Sequence, residues 1–481
     1  MATVPVGSTW SKGTDRKVSR TLAAGLLLLC STVSALAGPA EDRLLQAVRA
    51  GDIDGIRAAL AAKADVNAQL PDKSTALSWA VDRQNEDAVR LLLAAGARPR
   101  ALAPDAMEPL SLACELGDAA IVTALLKAGA DAREVRHNGT TAFALCAGST
   151  SPDVLTAMRA RGAAIEAANV ENQTPLMWAA TAGNTATVKW LLANGAKVNA
   201  LDRTGFTPVF FALRSKDPTA AIALLDAGAD INARLADGTS VAEAAIITQE
   251  IPFAIQVVNH GADVRWVNKK GRQLIHLAAG SGSAALVETV LQKGGDPNAM
   301  AETAPAPVQV AVATPAAPPS VGGDNAVNAG IAIRRVVPPP PLPVPATPLQ
   351  FAARAGSVET MQVLVAAGAR PDIKGPDGMT VSMAAAGSGS VAAMAYAYQL
   401  DPHLDAIALG GRSIMHVAVA ARRTPDPIGV IQFLVDNGAP LAVLDDRQDT
   451  PGDALNRGGD PVIREFFMKL LRDRGIVSAN H

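Results

Sequence analysis

Aromatic residues are scarce in this chain. Phe, Tyr and Trp make up 3% of its 481 residues, and only two are tyrosines. A core with so few rings has to be filled by small aliphatic contacts, and Ala, Leu and Val supply most of the 49% apolar content; closely stacked helices suit that composition. Cysteine is also rare: three residues are too few for a disulfide scaffold or a structural zinc cluster. Neither sign of charge is in excess, with 43 Lys and Arg against 45 Asp and Glu, so the basic surplus of a general nucleic-acid binder is missing. The apolar fraction excludes disorder of the chain as a whole. There is no GxxxxGK[ST] phosphate loop, no GxSxG elbow, no HExxH and no CxxC. The six histidines, at 137, 260, 276, 403, 416 and 481, include no pair at ligand spacing. No metal or cofactor is expected, and no enzymatic activity.

Long apolar runs are absent too, apart from a short one near the start. Residues 1–20 are polar and carry Lys12, Arg16, Lys17 and Arg20; residues 21–33 (TLAAGLLLLCSTV) are apolar; Ala35-Leu36-Ala37 then places small residues at −3 and −1. This is the three-part pattern of a secretory signal peptide over residues 1–37, with cleavage expected before Gly38. The run is too short to span a bilayer comfortably. Leu29, in front of Cys30, stands where a lipoprotein signal wants a small residue, and Arg16-Lys17 is not a twin-arginine pair. General secretion to the periplasm or the medium is therefore expected. Removing the signal takes away four basic residues and one acidic one, which leaves 39 against 44, a net charge of −5. No membrane span is expected after cleavage.

What the chain does have is a period. Gly96, Gly129, Gly162, Gly195, Gly228, Gly261 and Gly294 follow one another at 33-residue steps, which is the signature of stacked identical units. Within residues 173–199, Thr174-Pro175 opens a helix, with Thr as a candidate cap and Pro in the first turn. Leu176, Ala179 and Ala180 share one face, and Gly183 ends that helix. A second helix carries Val188, Leu191 and Leu192 at core spacing up to Gly195. One such pair cannot bury both of its faces, so its neighbours must cover them.

On these residues, TPLMWAATAG with WLLANGAKVNA and TPVFFALRSK with LLDAGADIN, the chain resembles the ankyrin-repeat family. The order of its segments is similar to that of exported ankyrin proteins of Gram-negative periplasms. The resemblance implies an all-α ankyrin-repeat solenoid of about 11–12 helix-turn-helix units. About eight repeats are expected over 38–299. Residues 300–346 hold eleven prolines and four charged residues and end in PPPPLPVP, which reads as a disordered linker that lets two blocks reorient. A C-terminal block follows over 347–481, with degenerate repeats near 379 and 412 and a capping end from Thr450, where Gly452 replaces an apolar residue.

The remaining residue types have structural readings. His276 and His416 stand at the histidine position of the ankyrin TPLH motif, where the resemblance implies bonds to neighbouring backbone. Asp65, Asp131, Asp230, Asp263 and Asp296 sit in GAD turns and stabilise the bend. Trp79, Trp178 and Trp190 read as core. Cys114 and Cys146 lie at adjacent positions of the first helix in consecutive repeats, where equivalent positions are on the order of 10 Å apart, whereas a disulfide needs Cα atoms within about 7 Å; two small buried thiols are expected.

Function then falls to the surface. Family geometry puts the turn tips and the end of the first helix on a concave face. In that register the exposed positions are Arg203, Thr204 and Phe206, then Asp237, then Lys269, Lys270 and Arg272, with Arg214 on the adjoining helix end. These residues are the candidate partner-binding set. Their basic excess fits an acidic protein partner, or equally an ordinary solvated edge; Trp266, just before one tip, favours an interface. The expected function is an exported scaffold for a protein partner, with a secreted effector or toxin-neutralising protein as the alternative.

Overall fold

The computed structural model describes residues 40–70, 73–100, 108–215, 217–301, 345–421 and 424–476. The expected signal peptide, with Cys30, and all but the ends of the Pro-rich stretch lie outside the described residues. Among the described residues there are twenty-four helices, two for each of twelve repeats, and one two-stranded ribbon, so the chain is all-α as expected.

The repeat at 173–199 shows why the sequence folds this way. Its helices are Pro175–Thr181 and Thr185–Ala193. Pro175 sits in the first turn, where its missing N–H costs nothing. Thr174 does not cap as expected; its hydroxyl is buried and the helix has no side-chain cap. Asn184 caps the second helix by accepting the Thr187 N–H at 3.3 Å. Gly195 closes the repeat at φ +94°, in the left-handed region that glycine occupies without strain. Leu176, Ala179, Ala180, Val188 and Leu191 are all buried. Each such Leu contributes roughly 1.5–3 kcal/mol, so stability comes from many modest layers.

The described residues form two compact units. One comprises the residues up to Glu134 with Asp153–Ala163; the other comprises Val135–Pro152 and everything from Ala164 on. In the first unit, helices Ala40–Ala50, Ala76–Asp82 and Pro109–Leu116 pack in succession, and Ile53–Ala61, Glu86–Ala94 and Ala119–Lys127 stack beside them. In the second unit the same two columns run from Pro175–Thr181 and Thr185–Ala193 to Pro451–Asn456 and Pro461–Asp473. Asparagine pegs repeat along each unit: Asn67 donates to Gly96 O and accepts from the Arg98 N–H, and Asn199 does the same with Gly228 and Asp230.

Packing within the second unit is continuous on the two sides of the Pro-rich stretch. The Leu274–Gly280 helix packs on Pro348–Ala355. Asn298 donates to Gly368 O at 2.9 Å and accepts from the Arg370 N–H at 2.8 Å. Ser357 Oγ donates to Gly282 O, and the Ala301 N–H donates to Ala346 O at 2.7 Å. The boundary between the compact units falls elsewhere, at 134–135 and around 153–163.

The repeats near 379 and 412 are complete helix pairs, Val381–Ala386 with Val391–Leu400 and Ile414–Val419 with Pro427–Asp436. Between them Ile407–Ala408 pairs antiparallel with Arg412–Ser413, with Ile407 opposite Ser413. Gly452 has a packing reason: a Cβ there would come within 3.3 Å of Leu471, and the final helix closes over it with Ile463, Phe467 and Leu471 buried.

Candidate functional site

The three candidate turn tips are four- to five-residue hairpins, each locked by a side chain of its own. At the first candidate tip the Asp202 N–H donates to Phe206 O at 3.0 Å. Asp202 Oδ1 accepts from the N–H groups of Thr204 and Phe206 at 2.9 and 2.8 Å, and from the Thr204 hydroxyl. Asn268 plays the same part at the third tip: it accepts from the N–H groups of Lys270 and Arg272 and donates to Glu243 at 2.8 Å. The carboxylate or amide folds the turn, and the residue that follows it is thrust outward.

The structure therefore sets Arg203 and Thr204, Asp237, and Lys269 and Lys270 at the turns of three successive repeats, with Arg203, Thr204, Lys269 and Lys270 exposed. Two of the cations are anchored to the preceding tip. Arg203 donates from its backbone to Glu171 O at 3.0 Å and from Nη1 to Val170 O at 3.2 Å. Lys269 Nζ donates to Ala236 O at 2.7 Å. Asp237 is held below the usual carboxylate range, chiefly by the Thr239 N–H and hydroxyl and further by Lys269. Arg214 is exposed just beyond the Pro208–Ala212 helix.

Two candidates are instead engaged within the fold. Phe206 is half-buried and meets Phe210 and Phe211 edge-on at 5.7 and 6.1 Å. Arg272 lies over the Phe351 ring at 4.9 Å, half-buried between repeats. Trp266 is 41% exposed, with the Arg234 guanidinium 3.9 Å above its ring and Asp263 3.8 Å from that guanidinium.

The two motif histidines are buried locks, as the sequence implied. His276 Nδ1 accepts the Gln273 N–H at 3.1 Å, so Nε2 carries the proton and donates to Ala299 O at 3.0 Å. His416 Nδ1 accepts the Ser413 N–H and sits 2.9 Å from its hydroxyl, while Nε2 faces Asp449 O at 3.2 Å. Ser413 and His416 are 0% and 1% exposed, so this Ser–His pair is a helix cap that no substrate reaches. Burial first, then the charge of a nearby arginine (Arg272 or Arg412), holds both imidazoles below their usual range, against the pull of their carbonyl partners. Among the described residues no group of three or more His, Cys, Asp or Glu is placed to hold a metal ion. No helix among them is long and apolar enough to cross a membrane.

Two expectations need correction. Cys114 and Cys146 are not thiols; both are disulfide-bonded. The expectation applied a helix-axis spacing to two individual residues, and axis spacing does not fix how far apart two inward side chains lie. Trp79, Trp178 and Trp190 are half-buried rather than fully core, and Trp79 carries Arg49 at 4.1 Å over its ring.

Sequence reasoning also missed a set of exposed aliphatic residues beside the tips, among them Leu201 and Val267. The signal was present as an apolar residue at a fixed offset after the repeat glycine. In comparisons with known families, a family model described as ankyrin repeats (3 copies) matches residues 44–136 and 143–235, and one described as ankyrin repeat matches 346–376. No curated protein matches the chain significantly.

Proposed function

This chain is built of ankyrin repeats, and from that premise we propose that it is an exported scaffold that holds a protein partner on its turn tips and first-helix ends and catalyses no reaction. The observation that carries the binding reading is the way the tip cations are held. Arg203 and Lys269 are pinned to carbonyls of the preceding tip, yet both stay exposed and keep further N–H donors for a partner. Binding to such a surface costs little ordering entropy. The partner is a protein rather than a nucleic acid, since 43 basic residues are balanced by 45 acidic ones. Export is supported by the two disulfide-bonded cysteines, which belong to an oxidising compartment, and by the signal-peptide pattern of residues 1–37.

The test is capture from a periplasmic extract by residues 38–481, beside a variant carrying Arg203→Glu, Lys269→Glu, Lys270→Glu and Arg214→Glu. Arg272 is left intact because of its place on Phe351. One dominant partner lost in the variant supports the reading. A partner retained by both keeps the scaffold and discards the basic tips. No partner, with the protein found in the medium, replaces the scaffold with a secreted effector acting on another cell.

A further inference from the structure

The apolar side chains that this fold leaves in water are not scattered. Of twelve large exposed hydrophobics among the described residues, six occupy a single position of the repeat: Val135, Leu201, Val267, Met300, Ile407 and Leu444, between 41% and 58% exposed. They stand six positions after Gly129, Gly195, Gly261, Gly294, Asp401 and Gly438 respectively. All six belong to the second compact unit. The position lies on the outgoing arm of the tip hairpin, where Val135 pairs with Thr141 and Ile407 with Ser413.

Folding does not ask for an aliphatic residue there. The same position holds Ala168, Arg234 and Lys374 in other repeats of this unit, and each finds its place in the same turn. Single exposed apolar residues are ordinary on a soluble protein; six at one position in nine repeats, with Val267 and Met300 in consecutive ones, form a row in register. Residues 201–272 as a whole carry eight charges of each sign, but the three tip hairpins within them, 201–206, 234–239 and 265–272, are basic, with six Arg and Lys against Asp202 and Asp237. Arg203 follows Leu201 by two positions, Arg265 precedes Val267 by two, and Lys269 and Lys270 follow it. The two carboxylates of these hairpins are engaged in their own turns: Asp202 accepts from the N–H groups of Thr204 and Phe206, and Asp237 from that of Thr239.

Stacked helices lie about 8–10 Å apart, and an extended chain rises about 3.3 Å per residue. One repeat therefore spans about three residues of an extended strand, so Val267 and Met300 meet side chains three residues apart, and Leu201, two repeats before Val267, meets one six residues earlier. We propose, resting on the protein-scaffold reading above, that this row receives an extended acidic polypeptide segment whose aliphatic side chains seat on Leu201, Val267 and Met300, while its carboxylates face the flanking cations.

The probe is a labelled peptide of six Asp-Leu-Thr triplets, titrated against the full chain by fluorescence anisotropy, with Asp-Ala-Thr and Lys-Leu-Thr peptides as controls. The variant combines Leu201→Ser, Val267→Ser and Met300→Ser; these side chains are exposed, so its thermal unfolding is expected to match the parent. Saturable binding of the Asp-Leu-Thr peptide, weakened at least about tenfold in the variant and for both controls, supports the proposal. Binding that ignores the variant, or no preference among the peptides, overturns it. Extract capture separates this from the broader reading. A natural partner kept by the variant overturns the row and leaves the scaffold standing. Row-dependent peptide binding by a chain that captures no natural partner supports the row and removes the scaffold reading.

Discussion

His276 donates from Nε2 to the carbonyl of Ala299, 3.0 Å away, and through that one bond the start of a helix is tied to the turn that leads out of the same repeat. Protonation would leave that donor in place but break the second bond, in which Nδ1 accepts the Gln273 N–H, so the pair of bonds exists only while the imidazole is neutral. His416 repeats the arrangement with Ser413 and Asp449, facing Arg412, Asp445 and Asp449.

That arrangement sets a pH dependence. Both imidazoles are held below their ordinary value of 6.5, so the unfolded chain takes up protons first as pH falls. Their contribution is complete above about 6.5 and is lost as pH drops toward the folded-state values. Urea midpoints are expected to fall between pH 7.5 and 5. Gln350, at the same repeat position, already shows a substitute: it accepts from the Ala346 N–H and donates to Met379 O, both at 2.8 Å. His276→Gln with His416→Gln is expected to stay within about 1 kcal/mol of the parent at pH 7.5 and to flatten the decline. A slope as steep as the parent's would refute the assignment.

Two ion pairs predict opposite outcomes. Arg412 and Asp445 are 3.5 Å apart with side chains 8% and 1% exposed, and Asp445 also accepts the N–H groups of Arg447 and Asp449. Asp445→Ala leaves a buried guanidinium without its carboxylate and is expected to cost about 3–5 kcal/mol. Arg370 and Asp372 are only 2.6 Å apart but lie in water, and Asp372→Ala is expected to leave the unfolding midpoint close to the parent's. Equal costs in chemical denaturation would contradict the difference in burial.

The stack across the Pro-rich stretch can be measured at one contact. Arg272 and Phe351, 79 positions apart in sequence, meet at 4.9 Å. A double-mutant cycle with Arg272→Ala and Phe351→Leu is expected to give a coupling of about 0.5–2 kcal/mol. A coupling of zero would mean that the ring and the guanidinium do not act together.

For the cysteines, alkylation of unreduced protein is expected to leave Cys114 and Cys146 unmodified, and Cys114→Ala with Cys146→Ala to cost about 2–5 kcal/mol. Full alkylation before reduction would show thiols and remove one support for export.

The fold was legible where its causes are local and repeated. A Gly every 33 residues, Pro at helix starts and Asp two residues before a turn N–H act within one repeat, so Asp65, Asp131, Asp230, Asp263 and Asp296 each accept the expected bond. What escaped depended on neighbours: the oxidised cysteines, the Arg272–Phe351 stack and the half-exposure of Trp178 and Trp190 are set by how side chains meet between elements. The candidate site was legible as a set of tips. That Phe206 and Arg272 are engaged by rings was not: both stand eleven positions after their repeat glycine, but the rings they meet belong to the following helix or to the next repeat, beyond the tip itself.

The Ala301 N–H and Ala346 O meet at 2.7 Å, so a chain leaving the stack there must come back to the spot it left. The sequence carries 44 residues, 302 to 345, between these two positions, and doubling the length of a loop costs only about 0.6 kcal/mol. The junction is thus a ready-made port for protein engineering. A fluorescent domain with adjacent termini can be sewn in between these two alanines, and the molecule becomes its own reporter with every repeat left in register.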